Sequence, residues 1–140
     1  MATIFAITNQ KGGVGKTTTS VNLAASLAAT KRRILLIDLD PQGNASTGVG
    51  VAAGSRGLSS YDLLVDEIAL VEATVPTTIP GLDLVPATVD LSGAEVELVS
   101  VEERTARLSH ALAGHKGHDI CFIDCPPSLG LFTLNALCAA

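Results

Sequence analysis

A doubly wound, mainly parallel α/β sheet with helices on both faces is the architecture this chain predicts, and three observations predict it. Short β-branched or apolar runs alternate with helical patterns, the interior runs are apolar at nearly every position, and Gly- or Pro-containing turns separate them. A strand covered on both faces has no solvent side on which to place polar residues. A near-continuous run such as RILLIDL at residues 33–39 therefore marks a parallel strand under two layers of helix.

The elements follow in order. Residues 3–8, TIFAIT, read as the first strand. The Gly-rich stretch after it can only be a tight loop. From Lys16 to about Thr30, the residues Val21, Leu23, Ala24, Ala25, Leu27 and Ala28 form a small-residue helix able to lie close against a sheet. Lys31, Arg32 and Arg33 end it, where cations answer the helix dipole; a DNA contact is the weaker reading of that triplet. The strand at 33–39 closes a first βαβ unit. Residues 41–60, rich in Gly, Ser, Ala and Asn, are too irregular for a single element and long enough for a functional loop. Tyr61 to Leu64 predicts a short helix, Ala69 to Ala73 a second short element, and Gly81 to Pro86 a strand opened by a Pro80-Gly81 turn. Apolar or small residues at 91, 94, 98, 101, 105, 108 and 112 give a helical stripe. It packs on the sheet rather than in a coiled coil, and Ser100 with Glu103 as a capping box divides it into two helices. A turn at 114–117, a strand from Ile120 to Asp124 and a helix starting at Leu129 complete the chain.

The bulk properties narrow the function. At 140 residues the chain is predicted to be one domain, residues 1–140, and 47% hydrophobic residues against 16% charged argue for a packed core. No apolar run approaches the roughly 20 residues that span a bilayer, and no export signal precedes the first strand. Cys121, Cys125 and Cys138, odd in number and without a second CxxC, read as small buried hydrophobes in a reducing cytoplasm rather than as ligands. A net charge of −5 argues against an autonomous nucleic-acid-binding domain, so any DNA surface is predicted to lie elsewhere. His110, His115 and His118 lack a matching acidic or Cys cluster and read as solvated. Neither a nucleophile elbow nor basic residues interleaved with aromatics appears.

Three constellations carry chemistry. The first, Gln10-Lys11-Gly12-Gly13-Val14-Gly15-Lys16-Thr17, lies between a strand and a helix, the context a phosphate-binding P-loop requires. Its glycines let backbone N–H groups point inward over the positive end of the helix. Lys16 is placed to reach the β- and γ-phosphates, the Thr17 hydroxyl to coordinate Mg²⁺, and Thr18 to contact the α-phosphate. The second, Asp38-Leu39-Asp40-Pro41-Gln42-Gly43-Asn44, ends a strand where open α/β sheets carry their ligands. Strand alternation points Asp38 and Asp40 the same way, towards Mg²⁺ and the γ-phosphate; the alternative is a solvated pair. The third, an apolar strand ending at Asp124 before Cys125-Pro126-Pro127-Ser128, supplies a carboxylate able to hold a Mg²⁺ water, although a strand-ending Asp alone reads equally well as structural.

The string NQKGGVGKTT, with a Gln where a plain P-loop has Gly and a second lysine at Lys11, resembles the deviant Walker A box of the ParA/MinD group in its ParA/Soj form. DLDPQGN resembles the switch I of ParA/Soj proteins and IDCPPSLG their switch II. The resemblance implies a P-loop NTPase that takes ATP and Mg²⁺. Lys11, Gly12, Gly13, Val14, Gly15, Lys16, Thr17 and Thr18 would hold the nucleotide, and Thr17, Asp38 and Asp124 the metal. Lys11, Lys16 and Asp40 would be catalytic. By the resemblance, Lys11 reaches across an ATP-dependent homodimer to the partner's phosphates, whereas spacing alone leaves a solvated loop lysine equally open. Asp40 orients or activates the attacking water. The family role is slow ATP hydrolysis in chromosome or plasmid partitioning, in the cytoplasm of a bacterium or archaeon and on the nucleoid. A ParB-like centromere-binding partner stimulates it, and non-specific DNA binding falls to a C-terminal region outside these residues. Only four strands are countable, so the chain is predicted to be the N-terminal part of a longer fold. The alternatives are a MinD-like membrane-associated positioning ATPase and a fragment that binds nucleotide without hydrolysing it.

Overall fold

In the computed structural model the described residues are 2–8, 16–52, 54, 56–127 and 130–140, with 16–18 described by their backbone alone. Five strands form one sheet: β1 (Thr3–Ile7), β2 (Ile34–Asp38), β3 (Val75–Pro76), β4 (Leu82–Val85) and β5 (Ile120–Asp124), in the order β1-β5-β2-β4-β3. β1, β5, β2 and β4 are mutually parallel, and β3 adds an antiparallel edge. The helices are α1 (Lys16–Ala28), α2 (Asn44–Gly48), α3 (Ser60–Val65), α4 (Leu70–Ala73), α5 (Ala94–Leu98), α6 (Arg107–Leu112) and α7 (Leu131–Ala139). Short 3-10 turns at Val89–Gly93 and Arg104–Ala106 precede α5 and α6.

The double layer of helices follows from the period of the strands. Every residue of β2 is buried. Ile34 and Leu36 join Leu82, Leu84 and Phe122 under Ala24 and Ala28 of α1. Leu35, Ile37 and Leu39 join Cys121 and Ile123 under residues of α3, α5, α6 and α7. Successive side chains thus enter opposite cores, each buried Leu or Ile contributing about 1.5–3 kcal/mol. Alanine at positions 24 and 28 is what lets α1 lie close to the strands.

The four predicted strands and the short helix at 61–64 are present, the short element at 69–73 is the helix α4, and the terminal helix is described from Leu131. Two expectations are corrected. β3 escaped notice because two residues, one of them Pro76, carry no alternation; proline is tolerated there because the strand is an edge. The stripe from 91 to 112 buries Leu91, Ala94, Leu98, Leu108 and Leu112 and divides into two helices, α5 and α6, but the break between them is not a capping box at Ser100 and Glu103 and takes in a 3-10 turn at Arg104–Ala106. Glu103 stands at φ +56 with no side-chain cap, so the Ser100–Glu103 box does not form. The capping box lies instead at Ser59 and Asp62, where α3 begins. Among the described residues no helix is long and apolar enough to cross a membrane.

Candidate nucleotide site

The carboxyl ends of three strands meet at one edge of the sheet. Ile7 pairs with Asp124, and Asp124 pairs with Asp38, so β1, β5 and β2 end level with one another. Asp38 and Asp124 share strand parity with Ile34, Leu36 and Phe122, which faces both towards the α1 layer. Ser20 of α1 donates from Oγ to Asp124 Oδ1 at 2.7 Å, and both residues are fully buried. Lys16, the first residue of α1, precedes Ser20 by one turn, roughly 6 Å along the axis.

Lys11, Gly12, Gly13, Val14 and Gly15 lie outside the described residues, as do the side chains of Lys16, Thr17 and Thr18, together with Ser128 and Leu129.

Asp38 is locked into the turn it starts. Its Oδ1 accepts from the Asp40 N–H at 3.0 Å; its Oδ2 accepts from the Ser46 N–H at 3.0 Å and Ser46 Oγ at 2.7 Å. Burial pushes its carboxyl up to about 6 against the pull of those hydrogen bonds, and the neighbouring charge of Asp124 adds to the rise. A cation between or beside two buried carboxyl groups would offset their charge. β2 ends at Asp38, so strand alternation no longer governs Asp40. Asp40 sits in the turn, 8% exposed, its Oδ1 accepting from the Gln42 N–H at 3.0 Å and its carbonyl from the Gly43 N–H at 2.8 Å.

Residues outside the three motifs complete this edge. Ser46 Oγ also accepts from the Ala87 N–H at 3.1 Å, and Ser60 Oγ donates to the Asp38 carbonyl at 2.7 Å. Arg56 reaches back to the same turn. Sequence reasoning missed all four of Ser20, Ser46, Ser60 and Arg56. Only Ser20 carried a signal, its spacing of one helical turn from Lys16.

At the opposite end of β5, His118 is buried rather than solvated: its Nε2 meets Asp83 Oδ2 at 2.8 Å and its Nδ1 meets His115 Nε2 at 2.8 Å. His110 is exposed. Among the described residues no cluster of three or more His, Cys, Asp or Glu could hold a metal. Cys121 and Cys125 are buried and Cys138 is exposed.

A mainly parallel sheet with helices on both faces, a Gly-rich sequence between β1 and α1 and acidic strand ends beneath α1 define a P-loop nucleoside-triphosphatase fold. A family model described as an AAA domain matches residues 2–140, and the chain belongs to that family. It is 53% identical over its whole length to the sporulation initiation inhibitor protein Soj of Bacillus subtilis, covering 56% of that protein. It is 51% identical over 98% of its length to the chromosome partitioning protein ParA of Caulobacter vibrioides, covering 52% of it. Among solved structures it matches one named cobyrinic acid a,c-diamide synthase from Mycobacterium smegmatis, with bound ATP analogue and magnesium. The TM-score is 0.94 and the identity 42%, over 100% of this chain and 57% of that one. The chain thus spans about half the length of the relatives it matches.

Proposed function

We propose that the chain is the nucleotide-binding part of a ParA/Soj-type ATPase that moves chromosome or plasmid DNA. It binds MgATP, forms an ATP-dependent homodimer and hydrolyses ATP slowly, stimulated by DNA and a ParB-like centromere-binding partner, on the nucleoid in the cytoplasm. The observation that carries this reading is the meeting of Asp38, the Asp40 turn, Asp124 and the start of α1 at one sheet edge. A triphosphate seated on the loop before α1 would lie against all of them. The magnesium and ATP analogue in the Mycobacterium smegmatis structure support the same ligands here.

The roles follow from chemistry and position. Lys11 to Thr18 hold the phosphates through backbone N–H groups and the Lys16 ammonium. Thr17 and Asp124 hold the metal and its water. Asp38, both oxygens engaged, acts on the metal's surroundings by fixing the turn. Asp40 orients the attacking water, and Lys11 offsets charge on the phosphates bound by the partner subunit. DNA contact falls to residues outside this chain. The relatives named Soj, at 53% identity, and chromosome partitioning protein ParA, at 51%, favour this over the diamide-synthase name at 42% and over a MinD-like membrane role.

The test is ATP turnover of the intact protein with and without DNA and its ParB-like partner. Stimulation by both together is expected. Lys16→Ala is expected to abolish ATP binding, Asp40→Ala to trap an ATP dimer without turnover, and Lys11→Ala to prevent dimerisation. Normal turnover in the Asp40 variant contradicts the assignment.

A further inference from the structure

We propose that Arg56 is a positioning residue for the turn that carries Asp40. The kinetic part of this inference rests on the ATPase reading above; the structural part does not. Arg56 lies between α2 and α3, outside all three motifs. Its Nη2 donates to the Gly43 carbonyl at 3.3 Å, to Thr47 Oγ1 at 2.8 Å and to the Val51 carbonyl at 2.8 Å. Its Nε also reaches Val51 O, at 3.2 Å, and its Nη1 reaches Ala87 O at 3.0 Å. One planar group therefore fastens the turn, the loop after α2 and the exit of β4 together.

The fastening point bears directly on Asp40. Gly43, whose carbonyl Arg56 grips, closes the turn by donating its own N–H to the Asp40 carbonyl at 2.8 Å. Ala87 is held from both ends: its carbonyl accepts from Arg56, and its N–H donates to Ser46 Oγ, which in turn donates to Asp38. Asp38 and Arg56 thus clamp the same loop against the same residue from its two sides.

Gly43 makes room for this. It stands at φ +67, and a Cβ built there would run into Arg56 Nη1. The glycine of the DLDPQGN motif is required twice over, by its backbone angle and by the guanidinium beside it. The acceptors are three carbonyls and a hydroxyl spread around one plane, a set that a five-donor fork can satisfy and a point-charge ammonium cannot. Because the donors are directed at protein carbonyls, Arg56 acts on the turn and not on a phosphate. Small misplacements of a reacting group cost on the order of 100-fold in rate, so loosening this clamp is expected to lower turnover while leaving nucleotide binding intact.

The experiment uses the intact protein with Arg56→Ala, Arg56→Lys and Gly43→Ala. Amide hydrogen exchange without nucleotide is read at Gln42, Gly43, Ser46, Thr47 and Ala87, and single-turnover hydrolysis and MgATP titration are measured beside it. Faster exchange confined to those amides, with β2 and β5 unchanged, is expected in all three variants. Turnover is expected to fall about 10- to 100-fold with MgATP affinity unchanged, Lys failing to rescue and added guanidinium partly restoring the Ala variant. Unchanged exchange overturns the proposal, as does loss of protection across the whole sheet, which would make Arg56 a general stabiliser. Loss of MgATP affinity overturns it in favour of a phosphate ligand. If the unaltered protein hydrolyses no ATP, the ATPase reading fails by itself and the exchange pattern still decides the clamp.

Discussion

Ser20, one turn into the helix that begins at Lys16, donates a hydrogen bond from its hydroxyl to Asp124 Oδ1 at the end of β5 over 2.7 Å. This contact ties α1 to the carboxyl end of β5. Ser20→Ala removes a hydrogen bond to a buried carboxylate and is expected to lower stability by about 1.5–3 kcal/mol. Urea unfolding checks it; an unshifted midpoint would mean that the pair is replaceable.

Ser46 has two buried duties, donating to Asp38 and accepting from the Ala87 N–H. Ser46→Ala leaves both partners short and is expected to destabilise by roughly 2–4 kcal/mol, more than Ser20→Ala. Thermal melts of the two variants side by side test that order.

Burial pushes the Cys121 thiol up to about 12, Cys125 is buried and Cys138 is exposed. Under native conditions a maleimide is expected to label Cys138 alone, and all three thiols after unfolding. Mass spectrometry counts the adducts, and rapid native labelling of Cys121 would show that β5 is open to solvent.

Burial holds His115 below the ordinary histidine range of about 6.5, and the charges of His118 and Arg33 add to the effect. The unfolded chain therefore takes up a proton there before the folded one does. The corresponding stability is present above about pH 6.5 and is lost as pH falls through the lowered folded value. His115→Gln is expected to flatten the fall in melting temperature between about pH 7 and 5. An equally steep fall in the variant contradicts this.

Much of the fold was legible because it rests on local chemistry. The runs at 33–39 and 120–124 read as doubly covered strands, and β2 and β5 are those strands, since an apolar run this dense has nowhere else to go. The positions 91, 94, 98, 108 and 112 were legible as core and as two helices, whereas the break between those helices was not, because Glu103 takes a left-handed backbone that no pattern of side chains announces. Asp38, Asp40 and Asp124 were found as candidates through their place at strand ends. Arg56 was not, since a lone arginine in a Ser- and Gly-rich loop looks solvated until the carbonyls of Gly43, Val51 and Ala87 are brought around it.

Every role proposed for this site depends on where a Mg²⁺–triphosphate sits. A structure of the intact protein with MgATP analogue is predicted to show the phosphates on the loop before α1, with Lys16 on the γ-phosphate and Asp124 and Asp40 facing the metal and the attacking water. Phosphates bound away from the ends of β2 and β5 would contradict it.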